Sequence, residues 1–415
     1  MMTQQEKVCR ALKKLKRNPQ CQRETRFLHI SSKIIRCDDF QGMPSVFVVP
    51  ERFDVRDGVI DGVHWALNQD PPHQVVRVCV PRVMQDKVSH ALFTLAGAAK
   101  SAKVKLGSYE LDGEDIVVGD LHGSPPQFSL AAKVKAWADQ LETRRAAALP
   151  PVGQRLADDL RARVPSFRWY RNVTSREWSG RVGGWQVCTV RDGASEIRYT
   201  RTNGESTPFT ADLSHGWREL NDWIVEFARK RATPTPKGSP KPKHWPGDSK
   251  QEHLLESAIW RDSNVVPVMI PNSKVALEPV VPPSQPPLQF PALYSNDTGA
   301  SARFVDAIMR AGSTPWVLEI KVDTGGQGQN YRHAITQAVL YREFLRQTTD
   351  LHSWFRDLDL KPERFKAAVV FPKLKPRTRN RNELLEALER TAACFDVAVV
   401  ELEDHWEDLH QRCMK

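Results

Sequence analysis

The sequence predicts a mixed α/β protein in three parts: a small α/β unit, an antiparallel sheet followed by a helix, and a C-terminal core of helices around a strand meander. Three observations predict it. Short apolar runs alternate with helical patterns over residues 20–125, as strand–helix units do. Strand-like runs joined by Gly, Asn and Asp turns fill 165–204. A stretch rich in Pro and Lys, "RKRATPTPKGSPKPKHWPGDSK" at 229–250, has no apolar periodicity and sets off a last block of about one domain's size. The expected boundaries are 1–150 for the α/β accessory unit, 151–232 for the antiparallel sheet and its helix, 233–249 for a basic, semi-rigid linker, and 250–415 for the C-terminal domain.

Each element has its local reason. "SVFVV" and "VVRVCV" are β-branched runs and read as strands, while "VIDGVHWAL" and "DKVSHALFTLAGAAK" carry helical spacing. Residues 128–163 read as helix with a break at "LPP". "SFRWYR", "GGWQVCTV" and "EIRYTR" read as antiparallel strands, and "GWRELNDWIVEFARKR" as the helix that closes this part. Beyond the linker come the helix "KQEHLLESAIWR" and the strand-like runs "VVPVMI", "ALEPVV", "PLQFPALY", "SARFVDAIM" and "WVLEIKV". A long helix follows from about Asn330 to Arg346, then strand "KAAVVF", helix "RNELLEALERTAACF" and strand "VAVVEL".

The 415 residues exceed what one domain usually needs, and the apolar runs are too short to cross a membrane. The N-terminus lacks the apolar core of a signal peptide, so the expected location is the cytoplasm. The seven cysteines have no zinc-ribbon spacing and are expected to be reduced thiols. A formal net charge of +10 attracts polyanions, which makes nucleic acid the first partner to test.

The chemistry concentrates in "VLEIKV", residues 317–322. Alternate strand residues share a face. Trp316, Leu318, Ile320 and Val322 therefore point one way, while Val317, Glu319, Lys321 and Asp323 point the other. Charges standing beside a core need compensation, and a divalent cation would compensate a carboxylate. Asp306 lies at the centre of "SARFVDAIM", and the turn "RAGST" lets a hairpin bring it close to Glu319. Two carboxylates from adjacent strands are a minimal site for Mg²⁺.

Asp306 followed by Glu319-x-Lys321 resembles the PD-(D/E)xK nuclease superfamily, and the surrounding element order is similar to its restriction-endonuclease-like α-β-meander-α-β core. Gln337 and Tyr341 match the QxxxY signature of RecB-like members, and "QEHLLESAI" resembles the acidic pattern of the family's first helix. The resemblance covers about residues 250–402; Val305 stands where the motif often has Pro. It implies a metal-dependent deoxyribonuclease with Mg²⁺ or Mn²⁺ held by Asp306, Glu319 and the backbone carbonyl of Ile320. Glu256 or Glu252 would complete the shell. Lys321 would orient or help deprotonate the attacking water. Gln337 and Tyr341, with His333 one turn before them, would contact the DNA backbone or position that water.

Further basic residues are candidates for phosphate contact: Arg303 before Asp306, and Lys373, Lys375 and Arg377 in "FPKLKPRTRNR". In the middle part, Trp169, Tyr170, Trp178, Trp185 and Tyr199 interleave with arginines; such aromatics either form a core or stack on bases. No P-loop is present, so the chain is not itself a motor, and a separate ATP-driven motor subunit is a candidate partner. The expected setting is DNA restriction, phage defence or repair. The rival is a catalytically idle nuclease fold that binds nucleic acid or assembles with a motor. The sequence leaves open endonuclease against exonuclease action, DNA against RNA, specificity and oligomeric state.

Overall fold

A computed structural model describes residues 3–15, 19–20, 34–49, 55–128, 132–145, 147–199, 209–232, 251–261, 265–271, 273–281, 288–294, 303–322, 329–375 and 380–414. The expected linker at 233–249, Asp323 and Arg377 lie outside them.

The chain is mixed α/β with several sheets. Helix α1 (Gln4–Lys14) starts at a capping box, in which Thr3 and Glu6 satisfy each other's backbone N–H groups. The first sheet runs in chain order: β1 (Pro19–Gln20), β2 (Ile34–Cys37), β3 (Ser45–Val48), β4 (Val75–Pro81), β5 (Lys103–Asp112) and β6 (Asp115–Asp120). Strands β3, β4 and β5 are parallel, connected through α2 (Asp57–Leu67) and α3 (Gln85–Ala98). Parallel strands need such crossovers and are covered on both faces. On one face Val8 and Leu12 of α1 pack with Ile35, Phe47 and Tyr109. On the other, α2 and α3 pack in the central core.

Helices α4 (Ala132–Arg145) and α5 (Pro151–Leu160) lead into the second sheet. It consists of β7 (Phe167–Asn172), β8 (Glu177–Val182), β9 (Trp185–Arg191), β10 (Ile197–Tyr199) and β11 (Phe209–Ala211), all antiparallel, followed by α6 (Trp217–Ala232). Its own core gathers Leu156, Phe167, Trp169, Trp178, Val190, Tyr199 and Leu220. Strand β8, "EWSGRV", carries no strand signal in its sequence, because Ser and Gly at its centre imitate a turn; there Gly180 makes room for Phe167 and Cys188.

The C-terminal part opens with α7 (Gln251–Arg261) and continues through β12 (Val268–Ile270), β13 (Val275–Pro279), β14 (Leu288–Gln289), β15 (Pro291–Ala292), β16 (Arg303–Phe304), β17 (Ala307–Ala311) and β18 (Thr314–Ile320). Then come α8 (Gln329–Gln347), α9 (His352–Arg356), β19 (Lys366–Lys373), α10 (Arg381–Cys394), β20 (Val397–His405) and α11 (Trp406–Met414). The third sheet has the order β12-β13-β17-β18-β19-β20; β18, β19 and β20 are parallel, and β17–β18 is an antiparallel hairpin. "SARFVDAIM" is not one strand: pairing stops after Phe304 and resumes at Ala307, with Asp306 in the break. Strand β14 leaves its neighbours to pair in parallel with β7, so the second sheet recruits a strand from beyond the linker.

The largest core is shared. Val46, Val59, Val63 and Leu92 of the first part join Ala338, Val339, Leu345 and Ala392 of the last in one apolar cluster. Among the described residues no helix is long and apolar enough to cross a membrane. The expectation of reduced thiols fails at Cys9, which is disulfide-bonded to a partner outside the described residues. Pairing depends on which chain segments the fold brings together, which cysteine spacing alone does not give.

Candidate active site

The site is built at the end of the β17–β18 hairpin. Pairing of Ala307 with Leu318 puts Asp306 across from Glu319. Asp306 is fixed at both ends: its Oδ2 accepts the Ile320 N–H at 2.8 Å, and its carbonyl accepts the Trp260 indole N–H of α7 at 2.6 Å. β18 is a central strand flanked by β17 and β19, so Glu319 does not face solvent. Its exposure is 0%. Lys321 continues the pairing of β18 with β19 through its N–H to the Val370 carbonyl.

The Lys321 ammonium stands 2.6 Å from Glu319 Oε1, an ion contact without the directionality of a hydrogen bond. Neither carboxylate oxygen of Glu319 has a well-directed hydrogen-bond partner among the described residues. The same ammonium donates to the Ile320 carbonyl at 3.2 Å and to Glu252 Oε2 of α7 at 3.4 Å. Glu256, one turn further along α7, takes the His253 ring at 3.1 Å.

The titrations follow from this crowding. Burial first, and then the charges of Glu319 and Glu256, push Asp306 well above the usual carboxylate range. Burial pushes Glu319 up to about 7 against the pull of Lys321, and burial raises Glu252 as well. Burial alone would lower Lys321, but the carboxylates of Glu319, Asp306 and Glu252 outweigh it and hold the ammonium well above the ordinary lysine value.

This donor set suits a hard divalent cation. Two carboxylates from adjacent strands repel one another in a dry setting, and the oxygens of Glu319 lack donors, so a cation satisfies both demands at once. No group of three or more His, Cys, Asp or Glu side chains gathers as a metal cage among the described residues. The set is of the two-carboxylate kind, which leaves positions to water and phosphate oxygen. Glu252 and Glu256, the expected alternatives for a further ligand, are turned to Lys321 and His253.

Of the QxxxY pair, Tyr341 is buried and packs its ring 5.6 Å from that of Tyr294; Gln337 is half-buried one turn before it. Burial, then the charge of Glu319, raises Tyr341 far above the ordinary phenol value, which puts its hydroxyl within electrostatic reach of the site. His333 on the same stripe faces away to the first part of the chain, with Nε2 at 3.2 Å from Asp61 and Nδ1 at 3.6 Å from Asp57. The expected backbone contact from His333 therefore gives way to a contact between chain parts. Arg303 is exposed on β16; Lys373 is exposed at the end of β19; Lys375 pairs with Glu407 at 2.5 Å on the surface. Trp169, Tyr170, Trp178, Trp185 and Tyr199 are all buried, so their rings serve packing rather than base stacking.

Three residues near the site were not expected there; only Arg181 had a signal in the sequence, as one of the arginines interleaved with the middle-part aromatics. Tyr294 lies in "PALYSN" without a motif. Arg56 places its guanidinium 4.4 Å from the Tyr294 ring centre. Arg181 of β8 lies 5.1 Å from the Tyr170 ring centre and within electrostatic reach of Glu256. Both arginines come from parts of the chain outside the recognised motif, so only the fold brings them here. No family model matches the chain, and no curated protein matches it.

Proposed function

We propose that the chain is a metal-dependent DNA nuclease of the PD-(D/E)xK kind, with its catalytic core in residues 250–415. One observation carries the reading. Asp306 and Glu319 meet across a hairpin in a buried setting, with the Lys321 ammonium 2.6 Å from Glu319. A helix-packed sheet does not need three such charges for stability, since burying them costs more than apolar residues would. Asp306 and Glu319 would hold Mg²⁺ or Mn²⁺. When bound, such a cation lowers the pKa of water and stabilises charge on a phosphate. Lys321 then orients the attacking water and offsets the negative charge that grows on the phosphorus centre. Restriction, phage defence and repair are the settings such an activity fits.

The test is cleavage of linear and closed-circular DNA, single- and double-stranded, with Mg²⁺, with Mn²⁺ and with EDTA. We expect cutting that EDTA abolishes and that Asp306→Ala and Lys321→Ala each reduce by on the order of 10²-fold or more. Cutting of the circle identifies an endonuclease. Wild-type protein that binds DNA and cuts nothing under any of these metals would instead support the idle fold.

A further inference from the structure

Three exposed side chains flank the candidate site and have no hydrogen-bond, ion-pair or ring partner among the described residues: Arg303, Phe304 and Lys373. Phe304 stands out. At 37% exposure it is the one exposed aromatic among the described residues, where every other Phe, Tyr and Trp is buried or half-buried. It precedes Asp306 by two residues, so at most about 7 Å separates their Cα atoms. A lone exposed apolar side chain is ordinary on a protein surface. This one carries an argument because of where it stands and what flanks it.

The topology gathers the three at one edge. β17 is antiparallel to β18, so the residues just before β17 lie toward the end at which β18 leaves the sheet. β19 is parallel to β18, and Lys373 is its last residue. Val369 stands beside Glu319, and strand alternation puts Lys373 on the same face as Val369, further along the strand. Glu319 and Lys321 mark this same edge, the carboxyl edge outside which open α/β sheets bind their ligands. The charge of Arg303 reaches the Tyr294 phenol, whose ring lies 5.6 Å from that of Tyr341. Arg303 is therefore on the side of the site, in company with Phe304 on β16.

A nucleic acid strand with its scissile phosphate at Asp306, Glu319 and Lys321 meets Arg303 on the β17 side and Lys373 on the β19 side. Those two cations suit the neighbouring phosphates, which would otherwise face carboxylates. An exposed ring takes a base by its face. A base within a duplex already has its faces stacked on its neighbours and must first be taken out of the stack. An unpaired base has a face to offer.

We propose that Phe304 is a specificity-determining residue: it stacks an unpaired base next to the scissile phosphate, with Arg303 and Lys373 on flanking phosphates, so that the preferred substrate is single-stranded DNA. This rests on the nuclease reading for the reaction. The binding it describes can be measured without cleavage.

The experiment compares full-length wild type, Phe304→Ala, Phe304→Trp, Arg303→Ala and Lys373→Ala. The probe is a fluorescein-labelled DNA oligonucleotide of mixed sequence, single-stranded or annealed to its complement. Binding is followed by anisotropy across a salt series with Ca²⁺ in place of Mg²⁺, and cleavage of both forms is measured with Mg²⁺. Wild type should bind and cut the single strand better than the duplex. Phe304→Ala should weaken single-strand binding about 5- to 100-fold, the worth of one stacked base, and leave the salt slope alone. Its duplex binding should stay at the wild-type level, which a misfolded protein would not show. Phe304→Trp keeps a ring and should keep single-strand affinity. Arg303→Ala and Lys373→Ala should each lower the slope of log affinity against log salt by about 0.7 on the single strand. Wild-type protein that cuts DNA, with Phe304→Ala at wild-type single-strand affinity, overturns this proposal alone. So does a Phe304→Ala loss that is equal on single strand and duplex, or a wild type that prefers the duplex. Wild-type protein that cuts nothing, while Phe304→Ala still loses single-strand binding selectively, overturns the nuclease reading and supports the stacking role. Wild-type protein that neither binds nor cuts overturns both.

Discussion

At the scale of single residues, Glu319 is the most consequential. Its carboxyl is fully buried, and among the described residues the Lys321 ammonium beside it meets only Oε1. Burial raises its pKa from 4.5 to about 7. A folded-state pKa above the unfolded one means that the folded protein holds the proton more tightly. The stability that Glu319 contributes is therefore full below the unfolded value and is lost as pH rises through about 7. Asp306 and Glu252 move the same way. A divalent cation held there, as the nuclease reading proposes, would compete with those protons and stabilise the ionised form. In EDTA, the melting temperature should thus fall between pH of about 5 and about 8, and Mg²⁺ should raise it more at the upper end. This one group accounts for at most about 3 kcal/mol of the change, because each tenfold gain in proton affinity is worth about 1.4 kcal/mol. Melting curves at the two pH values, with Mg²⁺ and with EDTA, check this; a Mg²⁺ gain that is equal at both, or that survives in Glu319→Gln, contradicts it. This part of the site was legible because strand period fixes side-chain direction: Glu319 and Lys321 had to share a face, and a short turn had to bring Asp306 opposite. What period did not give was the depth. The sequence left one face of β18 for charges; the structure closes both faces, and that closure moves the titrations.

At the scale of elements, α7 is the support on which the acidic side of the site depends, and three contacts seat it. Trp260 holds the backbone of Asp306, the Tyr170 hydroxyl donates to Ser257 Oγ at 2.8 Å, and Gly184 comes directly against the carbonyl of His253. A Cβ at position 184 would stand 2.0 Å from that oxygen, and the residue's φ of +84° is already unfavourable for any L side chain. Gly193 has a similar φ of +70° but open space around it. The pair separates strain from collision. Gly193→Ala should cost about 1 kcal/mol, the conformational penalty alone. Gly184→Ala should cost about 2–4 kcal/mol, because α7 or the β8–β9 turn has to move, and, on the proposed nuclease reading, it should lower the cleavage rate by displacing Glu252 from Lys321. Urea denaturation of both variants beside the cleavage assay measures the difference; equal costs would show that the approach to α7 does not constrain the turn. α7 was legible from its spacing of Leu254, Leu255, Ala258 and Ile259, but the turn was not, since "GGWQVCTV" reads as one strand and β8 carries no strand signal. Their meeting was not, since no local rule links residues so far apart in the chain.

At the scale of the whole molecule, the Pro- and Lys-rich stretch led to an expectation of tethered parts, and the shared core makes the first and last parts interdependent. The interdependence shows first in α2. Every residue of Asp57–Leu67 is buried, and a helix covered on all sides needs partners on all sides. Many of those partners lie on α8 and α10. Arg332 donates to Asp61 Oδ1 at 2.5 Å, Thr336 to Asp57 Oδ1 at 2.5 Å, and the His64 ring meets the Thr391 hydroxyl at 2.7 Å. Burial alone would raise the Asp61 carboxyl, but the charges of Arg332 and His333 hold it well below the usual range. Burial and Arg332 press His64 down to about 3, so it is neutral in this interface at ordinary pH. Asp61 is wholly buried and Arg332 only 2% exposed, so each charge depends on the other. Asp61→Ala leaves the Arg332 guanidinium in the core without its counterion and should cost about 3–5 kcal/mol. Asp61→Asn keeps the volume and one acceptor but not the charge, so it should fall between alanine and wild type. If the parts fold as one body, both variants shift a single urea transition, followed alike by Trp fluorescence and far-ultraviolet dichroism. If they were merely tethered, the first part would melt alone and leave residues 250–415 folded, giving two transitions. The shared core favours the first outcome: residues 250–415 alone would expose the side of α8 that carries Thr336, together with an Arg332 stripped of Asp61.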